Sequence, residues 1–146
     1  MKFAALTFST LLCLSAPASA FITAPCGPEF TPATITEPWE ENSRTFANGA
    51  IRIFEMFIDP NVASGAALGV LHPVPSGDGF SVRRCTAIYG SGVSRYFGQA
   101  HVAQATAVYD ASVGLIVTVP ISFVDSDDLF PMSFAVNQAT GVVSLR

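Results

Sequence analysis

Two residues of this chain are histidines, the residue type that most often acts as a general base or a metal ligand. His72 precedes Pro73 at the end of a predicted strand, and His101 lies within another. Their separation gives no H-x-x-x-H or similar ligand spacing, and a lone imidazole gains catalytic power only beside a positioned nucleophile or carboxylate. We interpret both histidines as structural or surface residues, so the sequence predicts no catalytic residue and no metal site.

The densest acidic cluster is Asp125-Ser126-Asp127-Asp128. Carboxylates at alternating positions resemble part of a calcium-binding loop, but the glycine and the distant bidentate glutamate of an EF-hand are missing. Aspartate and serine are also ordinary turn residues. We therefore expect a hydrated hairpin loop that binds no calcium.

Two short motifs resemble parts of enzyme sites. Glu37, Glu40 and Glu41 surround Trp39, and an aromatic platform with acids is typical of sugar hydrolysis. That spacing is not specific, and an anchor between an N-terminal arm and the core explains Trp39 better. Residues 90–94 contain neither a G-x-S-x-G nucleophile elbow nor a phosphate-binding loop. They predict a turn, and we expect no cofactor.

Residues 1–20 have the pattern of a secretory signal peptide. Lys2 precedes an apolar run from Phe3 to Leu14, and Ala18-Ser19-Ala20 fits an A-x-A cleavage site. The run is too short to cross a bilayer, and no second candidate follows. We expect a mature chain that starts at Phe21, has no membrane span and is periplasmic or secreted.

Removal of the signal peptide would leave two of the three cysteines in the mature chain. Cys13 leaves with the signal peptide, and Cys26 and Cys85 remain in a compartment where thiols oxidise. The sequence therefore predicts a Cys26–Cys85 disulfide, for which the chain-entropy model gives about 4 kcal/mol as an upper figure. A free thiol and an intermolecular bridge are the alternatives.

The composition of the mature chain restricts its size class and partners. Residues 21–146 suffice for one domain with a single core. They carry six arginines and eleven acids, a formal net charge of −5. This balance disfavours nucleic acid and anionic membrane surfaces as partners, because both require a basic patch.

Residues 21–44 are predicted to form an irregular N-terminal arm. Prolines remove backbone donors and hold the residues before them extended, and this segment has four of them, Pro25, Pro28, Pro32 and Pro38. Cys26 would tether the arm to the domain, and four apolar side chains would lie on the core: Phe21, Phe30, Ile35 and Trp39. A short helical turn is possible over residues 37–42.

Residues 45–146 have the alternation and turn residues of a β domain. Alternation places three sets of side chains on the core face: Leu115, Val117, Val119, Ile121 and Phe123; Met132, Phe134 and Val136; Phe80, Val82 and Ile88. Residues 50–58 and 66–72 predict two further strands, joined by a turn at 59–61 and followed by a loop at 73–79. Residues 95–109 favour a strand over a helix.

Short loops and the absence of a predicted crossover helix favour an antiparallel arrangement. The loops at 109–114 and 137–141 each end on a glycine able to adopt a positive φ, which is typical of tight hairpins. The sequence predicts an all-β fold, a single antiparallel meander of six to seven strands that forms a small barrel or a sandwich. Pro120 fits only an edge strand or a bulge.

Two functions from different classes are compatible with these features. The first is an exported, non-enzymatic binding or interaction module of a bacterial envelope or secretome, whose ligand is a protein or a small molecule. The second is a small exported hydrolase whose histidines and acids converge only in three dimensions. A histidine within hydrogen-bonding reach of an acid would favour the enzyme, and an exposed apolar patch or an empty cavity would favour binding.

We predict that the exported protein begins at Phe21 and contains no free thiol, because cleavage follows Ala20 and the two remaining cysteines pair. Intact mass before and after alkylation under denaturing, non-reducing conditions measures both. A different N-terminus, or alkylation of either cysteine in freshly purified exported protein, would contradict the prediction.

Overall fold

The chain folds into two antiparallel β-sheets. The computed structural model describes residues 20–59, 61–62, 64–92, 95–124, 126 and 128–146. The strands in these residues are β1 (Phe21–Pro25), β2 (Ser43–Phe46), β3 (Ile51–Phe57), β4 (Ala66–Pro75), β5 (Ser81–Gly90), β6 (Gln99–Ala100), β7 (Thr106–Asp110), β8 (Gly114–Ser122), β9 (Phe130–Asn137) and β10 (Val142–Leu145). One helical turn, α1 (Trp39–Asn42), and two short 3-10 turns, Pro32–Thr34 and Val102–Gln104, complete the described elements.

The first sheet has the strand order β1-β5-β4-β3-β2, and the second has β10-β9-β8-β6, with β7 also paired to β8. The predicted all-β, antiparallel fold is confirmed, and of the two architectures left open the chain adopts the sandwich. The ten strands in the described residues exceed the six to seven expected. The additional ones include β1, which lies within the arm that was expected to be irregular, and the two-residue β6.

The main core lies between the two sheets. Alternating side chains of both inner faces are fully buried there, as period-two alternation requires. The second sheet contributes Val117, Val119, Ile121, Met132, Phe134 and Val136, and the first contributes Ile51, Ile53, Ala66, Leu68, Val70 and Ile88. The inward orientation predicted for 117, 119, 121, 132, 134 and 136 is confirmed.

The first sheet is apolar on its outer face as well. In β4, every residue from Ala66 to Val70 is buried, so exposed and buried positions do not alternate. Phe54 and Met56 of β3 point outward and are also buried. Gly69 allows this packing, because a Cβ there would collide with the Phe54 ring. A sheet that is buried on both faces needs a second cover, and residues 26–42 of the arm supply it.

The β4–β5 hairpin differs from the prediction. Pro73 and Pro75, expected in a loop, belong to β4, and the turn lies at residues 76–80. The hairpin extends beyond the second sheet, so Phe80 is 76% exposed and Val82 is also exposed, although alternation placed both in the core. Ile88, further along β5, is buried as predicted.

Pro120 lies in β8, which has neighbours on both sides, rather than at the predicted edge or bulge. It is opposite Pro131 of β9, and since neither proline has an N–H, no ladder hydrogen bond is lost between them. On the other side, β7 pairs only as far as Thr118 and β6 begins to pair at Ile121. The Pro120 carbonyl accepts instead from His101 N–H at 2.9 Å.

Residues 95–109 do not form one continuous strand. They contain β6, the 3-10 turn Val102–Gln104 and most of β7. The turn is held by Arg44, whose Nη1 donates to the carbonyl oxygens of Ala103 at 2.9 Å and Ala105 at 2.5 Å. This arginine therefore connects β2 of the first sheet to the segment that enters the second.

Glu55 makes a second connection along the same edge of the sandwich. Its side chain is on the inner face of β3, is 2% exposed, and accepts a short hydrogen bond from the Ala100 N–H of β6. Burial raises the pKa of the Glu55 carboxyl above its ordinary value, against smaller lowering effects of the Ala100 N–H and the Thr36 side chain. The Thr36 hydroxyl is buried and has no partner of good hydrogen-bond geometry among the described residues.

The predicted hairpin loops are present. Asn137 Oδ1 accepts from Ala139 N–H at 3.0 Å and from Thr140 N–H at 3.2 Å, and the loop closes on Gly141 with a φ of +72°. In the loop before β8, Asp110 Oδ1 accepts from Ser112 N–H at 2.8 Å. Asparagine and aspartate thus cap these turns as their sequence positions indicate.

We predict that Gly141→Ala lowers the free energy of unfolding by about 2–3 kcal/mol, against about 1 kcal/mol for Gly77→Ala. Both glycines have a positive φ. A Cβ on Gly141 would lie 2.7 Å from Val74 Cγ2, whereas one on Gly77 would meet nothing within 4 Å. Urea denaturation measures both, and adding Val74→Ala to Gly141→Ala should recover part of the loss. Equal losses for the two glycines would show that the contact with Val74 carries no cost.

We predict that Glu55→Ala destabilises the fold by about 2–3 kcal/mol, because it leaves the Ala100 N–H buried without an acceptor. Glu55→Gln keeps an acceptor oxygen and should unfold near the wild-type midpoint. The pKa of the Glu55 carboxyl in the folded chain is raised above 4.5. At pH values just above 4.5, the carboxyl therefore keeps its proton in the folded chain and has lost it in the unfolded chain. Wild-type stability should therefore fall, relative to Glu55→Gln, as the pH rises above 4.5. A difference between the two proteins that is independent of pH would contradict this.

Candidate functional site

The predicted disulfide fixes the start of the arm on the outer face of the first sheet. Cys26 and Cys85 are bonded, with their Cα atoms 5.4 Å apart, and Cys26 N–H also donates to the Cys85 carbonyl at 3.1 Å. Immediately before it, β1 pairs with β5 from Phe21↔Gly90 to Pro25↔Thr86. The arm therefore leaves the edge of the sheet at a covalently fixed point.

Tyr89 of β5 holds the next part of the arm. Its hydroxyl donates to Glu29 Oε1 at 3.2 Å, and Phe30 packs edge-on against its ring at 6.1 Å between centroids. The Arg95 guanidinium lies 5.0 Å from the same ring centroid. Burial, followed by the hydrogen bond to Glu29, raises the pKa of Tyr89 to about 12, so this phenol remains a donor at any physiological pH.

The far end of the arm is hydrogen-bonded to β3. Ile35 forms an isolated bridge with Met56, and Thr36 N–H donates to the Glu55 carbonyl at 3.0 Å. The helical turn α1 follows, close to the turn predicted over 37–42, and Asn42 Nδ2 donates back to the Pro38 carbonyl at 3.1 Å. The arm is thus fixed at both ends, while its middle arches over the sheet.

A cavity of about 410 Å³ lies beneath this arch. Its lining is mostly apolar and comes from both the arm and the outer face of the first sheet. The side chains are Cys26, Phe30, Thr31, Pro32, Ile35, Trp39, Ser43, Arg52, Phe54, Met56, Leu71 and Cys85, together with Gly27. The disulfide itself is part of the wall. We refer to this space as the arm cavity.

Few polar groups reach the arm cavity, and Arg52 is the one with a full charge. It lies on β3 between Thr45 of β2 and Leu71 of β4, neither of which is charged. Among the described residues, no hydrogen bond, ion pair or ring contact of Arg52 is found. Arg44 and Arg83, by contrast, each donate to two backbone carbonyls.

Trp39 is the single tryptophan of the chain and lines the arm cavity while remaining 49% exposed. It was expected to anchor the arm on the core, and in the structure it shares the cavity lining with Phe54 and Met56 of the first sheet. Glu40 and Glu41, beside it in sequence, are exposed. Neither carboxylate is among the described residues that line the cavity.

The two histidines lie in different places. His72 is 2% exposed, its Nε2 is 2.9 Å from Thr86 Oγ1, and its Nδ1 is buried without a partner among the described residues. Burial lowers the pKa of His72, which favours the neutral form of the ring. His101 borders a separate, more polar cavity of about 420 Å³ beside Ser122 and Phe123. Within the described residues, neither imidazole is hydrogen-bonded to a carboxylate.

Half of the acidic cluster lies outside the described residues, because Asp125 and Asp127 are not among them. Asp128 is exposed, and its N–H donates to Ser126 Oγ at 3.1 Å. The part of the chain that is described contains no group of three His, Cys, Asp or Glu side chains arranged to hold a metal ion.

Sequence reasoning did not find the sheet side of the arm cavity, formed by Arg52, Phe54, Met56 and Leu71. One signal was available. In Ile53-Phe54 and in Ala66-Ala67-Leu68, apolar residues are consecutive rather than alternating, which is typical of strands buried on both faces. That pattern implies a second cover over the sheet, although it does not indicate an incomplete one.

The chain was compared with protein-family models, with curated proteins and with solved structures, and none of the three gave a match. In the described residues, no helix has the length and hydropathy needed to cross a membrane.

Proposed function

We propose that this chain is an exported binding module that holds a small, largely apolar molecule in the arm cavity. The observation that carries the proposal is the arm cavity itself, a recess of about 410 Å³ with an apolar wall and three polar side chains, Thr31, Ser43 and Arg52. Small-molecule sites are typically apolar clefts of about 300–1,000 Å³ in which a few polar groups set the orientation. The arm cavity has these properties.

The way in which the arm is held supports binding without large rearrangement. The Cys26–Cys85 bond, the Tyr89–Glu29 hydrogen bond and the bridge between Ile35 and Met56 fix three points around the space. A site that is already formed loses less conformational entropy when a ligand enters, and more of the hydrophobic gain remains as affinity. An apolar ligand gains about 25 cal/mol for each Å² of apolar surface removed from water.

An oxidising location belongs to the same proposal. A disulfide of this kind persists in the periplasm or outside the cell and is rare in the cytosol. The signal-peptide pattern of residues 1–20 points to the same compartments, and all of those residues except Ala20 lie outside the described part. We therefore assign the binding function to a bacterial envelope or secretome.

The hydrolase alternative has less support from the described geometry. A catalytic histidine needs a partner that orients it and a nucleophile with access to substrate. His72 does meet the Thr86 hydroxyl, but its other nitrogen is buried without a carboxylate partner in the described residues. No observation of this structure favours hydrolysis over binding.

We predict that a neutral apolar probe, N-phenyl-1-naphthylamine, binds the protein and quenches Trp39 emission by energy transfer. Ser43→Phe places a ring in the cavity and should weaken binding at least about tenfold, a change of about 1.4 kcal/mol. Ser144→Phe is the matched control, because Ser144 is an exposed strand residue of β10 outside the cavity lining. It should bind the probe as the wild type does.

Thermal unfolding of both serine variants shows whether each is folded before its binding is compared. If Ser43→Phe and Ser144→Phe bind the probe with equal affinity, the probe binds outside the arm cavity. If the wild type binds neither this probe nor other apolar molecules, the proposed function is wrong.

A further inference from the structure

We infer that the ligand of the arm cavity is an amphiphile with an apolar body and an anionic group, and that Arg52 binds the anion. The inference rests on the proposed function and adds the chemical class of the ligand to it. The juxtaposition that carries it is an unpaired guanidinium at the wall of an apolar cavity.

Arg52 is an exposed residue of β3 that also lines the arm cavity. Three other arginines satisfy their guanidinium groups within the fold: Arg44 and Arg83 on carbonyl oxygens, and Arg95 on the Tyr89 ring. Arg52 makes no such contact in the described residues, so its donors are available to a ligand.

Acidic residues of this chain do not take up that charge. Glu37, Glu40 and Glu41 lie in the neighbouring part of the arm and are exposed. In the described structure, none of them comes within ion-pair distance of Arg52. The cavity therefore presents one positive charge against an otherwise uncharged lining, in a chain whose mature net charge is −5.

The chemistry of guanidinium selects the class of anion. Its planar fork matches a carboxylate with two parallel hydrogen bonds, and it is more weakly hydrated than an ammonium. Coulomb attraction also strengthens where apolar walls exclude water. An anion alone would gain little at a partly exposed arginine, so an apolar body is needed to hold the carboxylate there.

The occupant is a single amphiphilic molecule rather than a membrane. The apolar wall lies between the arm and the sheet, in a recess of about 410 Å³ rather than on an open face. The negative net charge also opposes approach to an anionic bilayer. Binding to lipid vesicles would therefore contradict the inference.

The test compares three probes with the same apolar chain and different head groups: dodecanoate, dodecanol and dodecylamine, each as monomers at a pH where the first is anionic and the last is cationic. Trp39 emission and calorimetry report binding. We expect dodecanoate to bind the wild type about five- to tenfold more tightly than dodecanol, and dodecylamine to bind most weakly. The preference should decrease as salt is added, because part of it is electrostatic.

Arg52→Gln should remove the preference for dodecanoate, so that the variant binds dodecanoate and dodecanol with similar affinity. Arg84→Gln makes the same charge change on β5, outside the lining of the arm cavity, and should keep the preference. The pair separates a local contact from a general effect of net charge.

Besides binding to lipid vesicles, three outcomes would overturn the inference, and they differ in what they imply for the proposed function. If dodecanoate and dodecanol bind the wild type equally, the cavity binds apolar molecules without selecting an anion, and the proposed function stands. If Arg52→Gln still binds dodecanoate more tightly than dodecanol, a group other than Arg52 binds the carboxylate. If no probe binds the wild type, both the inference and the proposed function fail. Cosedimentation with phosphatidylglycerol vesicles tests the membrane outcome.

Discussion

The first sheet is apolar on both of its faces, and this constraint determines much of the remaining structure. Its inner face is covered by the second sheet, as in any β-sandwich. The outer face, with Phe54 and Met56 fully or almost fully buried, requires another cover, and no third sheet or long helix is present in the described chain. The proline-rich arm supplies that cover. Because a single segment of chain cannot fill a layer by itself, its arch leaves a space.

The contacts around this space have separate physical roles. The disulfide and the β-bridge of Ile35 set the path of the arm, while Phe30, Tyr89 and Glu29 fix its height above the sheet through one ring contact and one hydrogen bond. Glu55 and Arg44 close the edge of the sandwich with charged groups that bind backbone atoms rather than each other. Glu55 and Arg44 thus serve as hydrogen-bond partners of backbone groups. Arg52 differs from them because it lines an apolar cavity.

Much of the fold could be predicted because it follows from local rules. Alternation oriented Val117 and Phe134 correctly, and the turn residues Asn137 and Gly141 behave as their types require. Alternation failed for Phe80, because the sequence does not show where the second sheet ends beneath a hairpin. The Cys26–Cys85 bond followed from counting cysteines, but the arm cavity did not. It depends on where residues 30–39 lie above β3 and β4, a tertiary arrangement that no short pattern encodes.

The disulfide forms a wall of the cavity as well as a tether, so formation of this bond also completes the recess. Before Cys26 and Cys85 are joined, the arm is held to the sheet by noncovalent contacts alone, and the recess has no permanent boundary at that end. A reduced chain would consequently present an incomplete recess. Under the proposed export and binding function, oxidation would complete the recess in the oxidising compartment, and ligand binding would be confined to that compartment.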